Sequence, residues 1–131
     1  MNKVIISGNL TKDAEIIDLQ NGEILAKDTI AVKREFKNKE GNYDVDFIEI
    51  ISYSHTAQYM KNYATKGARA EACGRLQIRE YETQEGQKRR VAEVVVESIT
   101  IFNSEKKETI PAVEPKSNIK PMQVDDESLP F

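Results

Sequence analysis

Residues 45–79 read VDFIEIISYSHTAQYMKNYATKGARAEACGRLQIR, and this stretch decides the fold, because it changes period twice. Residues 45–53 are rich in β-branched and aromatic side chains, as a strand is. Ile48 and Ile50 share one parity with Asp46 and Ser52, while Phe47 and Tyr53 share the other with Glu49 and Ile51, so neither face is cleanly apolar. Over 56–66 the spacing becomes helical: Ala57, Met60 and Ala64 fall on one side, and Gly67 offers a stop after Lys66. Over 68–79 the period returns to two. Ala70, Ala72, Leu76 and Ile78 point one way, while Arg69, Glu71, Arg75, Arg79 and, by continuation, Tyr81 point to a wet face.

Outward from this unit the β signals continue. Residues 3–10 are a β-branched run, and residues 24–34 alternate, with Ala26, Ile30 and Val32 opposite Lys27, Thr29 and Lys33. Asn21-Gly22 between them is a hairpin turn dipeptide. Residues 91–102 supply a last long strand, and Gly41 and Gly86 each mark a projecting hairpin within a polar segment. Three strands, one helix and two strands form the element order of a five-stranded Greek-key barrel of the OB type. The expected class is all-β, with one helix.

Composition shifts abruptly after Phe102. All six glycines lie at or before Gly86 and all four prolines at or after Pro111, which sets a domain at 1–103 and a tail at 104–131. The tail has few large apolar residues and several prolines, so it cannot bury enough surface to offset ordering entropy and is expected to be disordered. The domain carries 15 cationic against 16 acidic side chains and the tail 4 against 6, so any anion-binding surface must arise from local distribution. Three apolar residues after Lys3 do not make a signal sequence, and no run approaches a membrane span, which predicts a soluble, intracellular protein with no membrane partner. Cys73 is the single cysteine and His55 the single histidine; they are too few for a zinc cluster, and neither is marked as an activated nucleophile. The glycines are too scattered for a phosphate-cradling loop. The expectation is a binding protein with no cofactor or metal, and no enzyme.

Three groups of residues carry binding chemistry. Tyr81 shares a face with Arg75 and Arg79, and rings beside guanidinium groups suit single strands, whose bases stack while their phosphates meet cations. Lys33-Arg34-Glu35-Phe36-Lys37-Asn38-Lys39 places four cations around one ring where the chain leaves a strand, and Lys88-Arg89-Arg90 sits at the foot of the other hairpin. A solvated charged surface, or a barrel that binds only proteins, is the competing reading. The tip Asp125-Asp126-Glu127-Ser128-Leu129-Pro130-Phe131 ends in a ring and a free carboxylate behind three acids, a form suited to capture in a basic, partly apolar pocket.

Met1-Asn2-Lys3-Val4, Gly8-Asn9-Leu10-Thr11, Asp13-Ala14-Glu15, Ala31-Val32-Lys33-Arg34, Asp46-Phe47-Ile48, Tyr63-Ala64-Thr65-Lys66-Gly67 and Gly74-Arg75-Leu76-Gln77-Ile78-Arg79-Glu80-Tyr81, in this order and spacing, resemble the bacterial single-stranded DNA-binding protein family. The tip resembles that family's acidic ending. The resemblance implies an OB-fold assembled as a homotetramer, wrapped by single-stranded DNA without sequence preference. It implies a cytoplasmic, nucleoid-associated protein acting in replication, recombination and repair, with enzymes of those processes as partners of residues 125–131. It further places Phe36, Phe47, Tyr53 and Tyr81 at base-stacking positions, and Lys39, Lys66, Arg75 and Arg79 at or beside phosphate-contacting ones. Lys33, Arg34, Lys37, Lys88, Arg89 and Arg90 complete the expected cationic set. Two departures are the absence of tryptophan and Ala14 where proline is common. The linker, residues 104–124, is shorter than many relatives carry.

Overall fold

The apolar alternation of residues 24–37 needs partners on both edges, and it finds three. In the computed structural model, which describes residues 1–102, β3 (Ile24–Lys37) is antiparallel on one edge to β4 (Tyr43–Tyr53). On its other edge it meets first β2 (Glu15–Asp18) and then β1 (Val4–Leu10). β1 runs on to β5 (Arg69–Glu82), which is antiparallel to β6 (Lys88–Phe102). β6 closes on β4 through the parallel pairs Ile50↔Val94 and Ile51↔Val95. The ring β1-β5-β6-β4-β3 returns to β1, giving the expected five-stranded barrel. The expected disordered tail and its acidic tip lie outside the described residues.

Closure sets two glycines. A Cβ on Gly8 would collide with the Ala31 carbonyl where β1 crosses from β5 to β3, and one on Gly74 would collide with the Val95 carbonyl beside the register shift at Cys73/Gly74. Inside the ring, Leu10, Ile30, Ile50 and Val94 are fully buried, and α1 (Ser54–Tyr63) plugs one end with Ala57 and Met60. The Ser52 hydroxyl donates to Met60 Sδ at 3.1 Å, and the Tyr59 hydroxyl accepts the Ile101 N–H at 3.0 Å, tying the helix to β4 and β6.

Four local expectations change. β2 was not foreseen: four residues are too few to show a period, although the Asn21-Gly22 turn was legible and proves to join β2 to β3, with Gly22 at φ +90. The helix covers 54–63 rather than 56–66, because Ala64, whose N–H makes the last helical bond to Met60, is itself extended at ψ 96 and the Lys66 N–H turns to Asp13 Oδ1 at 2.8 Å, leaving Gly67 to make the bend into β5. The hairpins are paired further out than polar ten-residue segments suggest, with Lys37↔Tyr43 and Glu82↔Lys88 as last pairs, although the β3–β4 ladder breaks between Lys33 and Lys37. Leu76 and Ile78 keep the inward parity assigned to them but are exposed, because β5 has by then run past the barrel's end.

Candidate nucleic-acid interface

Residues paired across a ladder project to the same side of the sheet, and residues alternate along each strand. Parity in β4 therefore puts Tyr43, Phe47 and Tyr53 on the outer face, with Phe47 opposite Ala31 and Tyr53 opposite Leu25. The parallel pair Ile51↔Val95 carries that face onto β6, and Val95↔Arg75, Val91↔Arg79 and Arg89↔Tyr81 carry it onto β5. Phe47, Tyr53, Tyr81, Arg75, Arg79, Arg89 and Lys33 thus lie on one outer surface, though they come from four strands. Phe47 is 67% exposed, and Tyr53 and Tyr81 are also open.

The floor of this surface is apolar. Ile51 is only 6% exposed and Val95 is buried beside it, with Lys27 and Arg75 as their ladder neighbours; the methylene stems of such side chains can cover apolar ground while their charges reach water. Ile99 packs against the core. Neither residue is left wet by the single barrel: Ile51 is buried and Ile99 half-buried.

One carboxylate is built into the same surface. Glu93 is 4% exposed; its Oε2 accepts from Gln77 Nε2 at 3.0 Å and from Arg79 Nε at 3.4 Å, and its Oε1 accepts from Arg79 Nη2 at 3.5 Å. Gln77 Oε1 in turn accepts from Arg75 Nη1 at 3.4 Å. A guanidinium has five donors, so Arg79 held in this way keeps three for an anion above the sheet. A buried charge needs such partners, and here the partner is an interface arginine.

The remaining expected cations divide by parity. Arg89 joins Tyr81 on the outer face, whereas Lys88 and Arg90 point the other way, and Arg90 pairs with Glu80 at 3.4 Å. Arg34 grips Asp46 with two donors, Nη2 to Oδ1 at 2.8 Å and Nε to Oδ2 at 3.1 Å. The hydrogen bonds from Arg34 hold the Asp46 carboxyl below the usual carboxylate range against some desolvation, and they raise the guanidinium pKa in return. Arg34 is thereby already neutralised. Phe36 stands exposed within the register break between Lys33 and Lys37, and Lys39 lies in the turn beyond. Lys66 sits on the loop between α1 and β5 beside Asp13, and no ladder joins it to the hairpins.

Sequence reading missed Tyr43 and Glu93. Tyr43 was legible by parity with Phe47 and Tyr53, had the strand been started two residues earlier. Glu93 gave no signal, since a glutamate in a strand usually faces water.

A family model for the single-strand binding protein family matches residues 1–102, the whole described barrel. The chain belongs to the single-strand binding protein family. It is 34% identical to single-stranded DNA-binding protein 3 of Streptococcus agalactiae, over all of this chain and 99% of that protein. It is 40% identical to single-stranded DNA-binding protein 2 of Staphylococcus aureus, over 76% of this chain and 70% of the relative. A further Staphylococcus aureus relative, single-stranded DNA-binding protein 1, is 43% identical over 76% of this chain and 64% of its own length. Among the described residues no helix is long and apolar enough to cross a membrane.

Proposed function

We propose that this chain binds single-stranded DNA without base preference and protects it during replication, recombination and repair. Bases stack on Phe36, Phe47, Tyr53 and Tyr81. Arg75, Arg79, Arg89, Lys33, Lys37 and Lys39 take the phosphates on or beside the outer face, with Lys66 and Lys88 further along the path and Arg34 and Arg90 supporting the hairpins. One observation carries the reading: the ladder registers bring three exposed rings and three arginines onto a single surface flanked by two hairpins. The family membership and the relatives' names support the same ligand. Rings accept any base and guanidinium groups any phosphate, so sequence tolerance follows.

The domain is 1–103, and the tail's tip, residues 125–131, recruits partner enzymes. The protein is a cytoplasmic, nucleoid-associated homotetramer. Exposed Ile5, Leu76 and Ile78 offer apolar surface for assembly.

The deciding experiment titrates oligothymidylate and duplex across a salt series. Tight single-strand binding, poor duplex binding and a slope of log K against log salt near −0.7 for each neutralised phosphate are expected. Equal affinity for duplex, or a flat salt response, would overturn the reading. Removing residues 125–131 is expected to leave strand affinity unchanged, or slightly higher at low salt where three lost negative charges matter most, while partner binding disappears. Partner binding that survives deletion of Phe131 alone would reduce the tip to generic acidity.

A further inference from the structure

We propose that Tyr43, with Lys33 and Lys37, forms a further nucleotide subsite on the β3–β4 hairpin, one base lying on the ring and the adjoining phosphate on the two ammonium groups. The inference rests on the single-strand reading above and extends it beyond the four aromatic positions already named.

Tyr43 has the parity of Phe47 and Tyr53, and lies four residues beyond Phe47, or about 13 Å along the strand. Its ring therefore continues the line of rings on β4 outward onto the hairpin. The Lys33 Nζ stands 4.7 Å from its ring centroid and the Lys37 Nζ 5.8 Å. Ladder pairing explains the approach, since Lys37 is opposite Tyr43, and Lys33 is opposite Val45 on the same face.

The lysines come from β3, so they approach Tyr43 from that strand's side. On the other side no strand follows, because β6 joins β4 only at Ile50 and Ile51. The ring is 43% exposed. Two ammonium groups converging on one ring, with no carboxylate in ion-pair reach of either among the described residues, concentrate positive charge that an anion would relieve. Arg34, between them in sequence, shows the contrast: its charge is already met by Asp46. A half-exposed ring beside cations that no carboxylate meets is the chemistry of one nucleotide of a single strand.

The chain contains no tryptophan, so Tyr43→Trp introduces the sole indole. Saturation of this variant with oligothymidylate is expected to quench and shift its emission, because a base stacks directly on it. Tyr43→Phe is expected to bind as the parent does, and Tyr43→Ala about fivefold to tenfold more weakly, with melting as the control for the hairpin. Removing both cations by Lys33→Gln and Lys37→Gln should flatten the salt slope by about 0.7 for each phosphate lost. If the parent binds the oligonucleotide while the indole emission does not change, or while Tyr43→Ala binds equally tightly, the subsite is wrong and the single-strand reading stands. Failure of the parent to bind would instead remove both. Should Tyr43→Ala melt early, the indole signal alone decides.

Discussion

The two ends of the barrel are made of opposite materials. At the end where β4 runs into α1, small and apolar side chains close the ring: Ala57, Met60 and Ala64 from the helix side meet Leu10, Ala70 and Ala72 from the strands, all essentially out of water. At the other end β3, β4, β5 and β6 overrun the barrel as two hairpins, and on these and the outer face beside them Phe36, Phe47, Tyr81, Leu76 and Ile78 are left open. Both ends use β-forming, hydrophobic residues. The difference is whether another layer covers them, and it separates a region that stabilises from one that is free to bind. Exposed aromatic surface of this kind is informative because a monomeric fold has no use for it.

That contrast can be broken most severely at the closed end. Met60→Ala removes the largest helix side chain in the core and leaves a cavity, so melting should show a loss of about 2–5 kcal/mol, while affinity for single strands, measured where the variant remains folded, stays at the parent value. Loss of affinity without loss of stability would dissolve the division. The mirror experiment at the open end is Phe47→Ala. Its ring touches little of the core, so unfolding should be nearly unchanged while binding weakens by about 1–3 kcal/mol for the base that loses its platform. An early-melting variant with normal binding would move Phe47 into the structural class.

Glu93 gives a sharper test, because two physical effects predict opposite signs. If it acted only as a negative charge near phosphates, Glu93→Gln would tighten binding, most visibly at low salt. Because it anchors Arg79 directly and Arg75 through Gln77, the expected result is weaker binding by about 0.5–1.5 kcal/mol, the worth of an orienting hydrogen bond. A second substitution, Arg79→Gln, should then reduce the effect of Glu93→Gln to the part carried through Gln77 and Arg75.

The smallest expected effect lies at the hairpin base. Arg34 depresses the Asp46 pKa, so their link contributes stability above the carboxylate's unfolded pKa and loses it as pH falls through the lower folded value. An NMR titration of the Asp46 carboxyl should show its midpoint below the ordinary range, and Arg34→Gln should return it there. The pair is solvent-exposed, so little change in global melting is expected.

Much of this architecture was readable because its signals are local. The alternation in 24–34, the helical spacing of Ala57, Met60 and Ala64, and the glycines at the turns each depend on neighbours within a few residues. Even the binding surface was half legible, since Arg75, Arg79 and Tyr81 share a parity within one strand. By parity, Phe47 and Tyr53 could be placed together, but only the resemblance joined them to Tyr81, because it is the β4–β6 pairing that brings their faces together.

The sequence by itself therefore determined the five strands of the barrel, the turn residues, the kinds of side chain available and the family they belong to. The tertiary structure alone decided which residues face each other. Period-two alternation says that a strand has two faces, but which face is covered depends on pairing between segments far apart in the chain. Ile51 shares its parity with Glu49 and the exposed Phe47 yet is buried, and Leu76 keeps its inward parity yet is exposed, because strand overrun and barrel closure are properties of the assembled sheet. Charge followed the same rule: four cations around Phe36 look equivalent in sequence, yet Asp46 neutralises Arg34 while Lys33 and Lys37 turn to Tyr43.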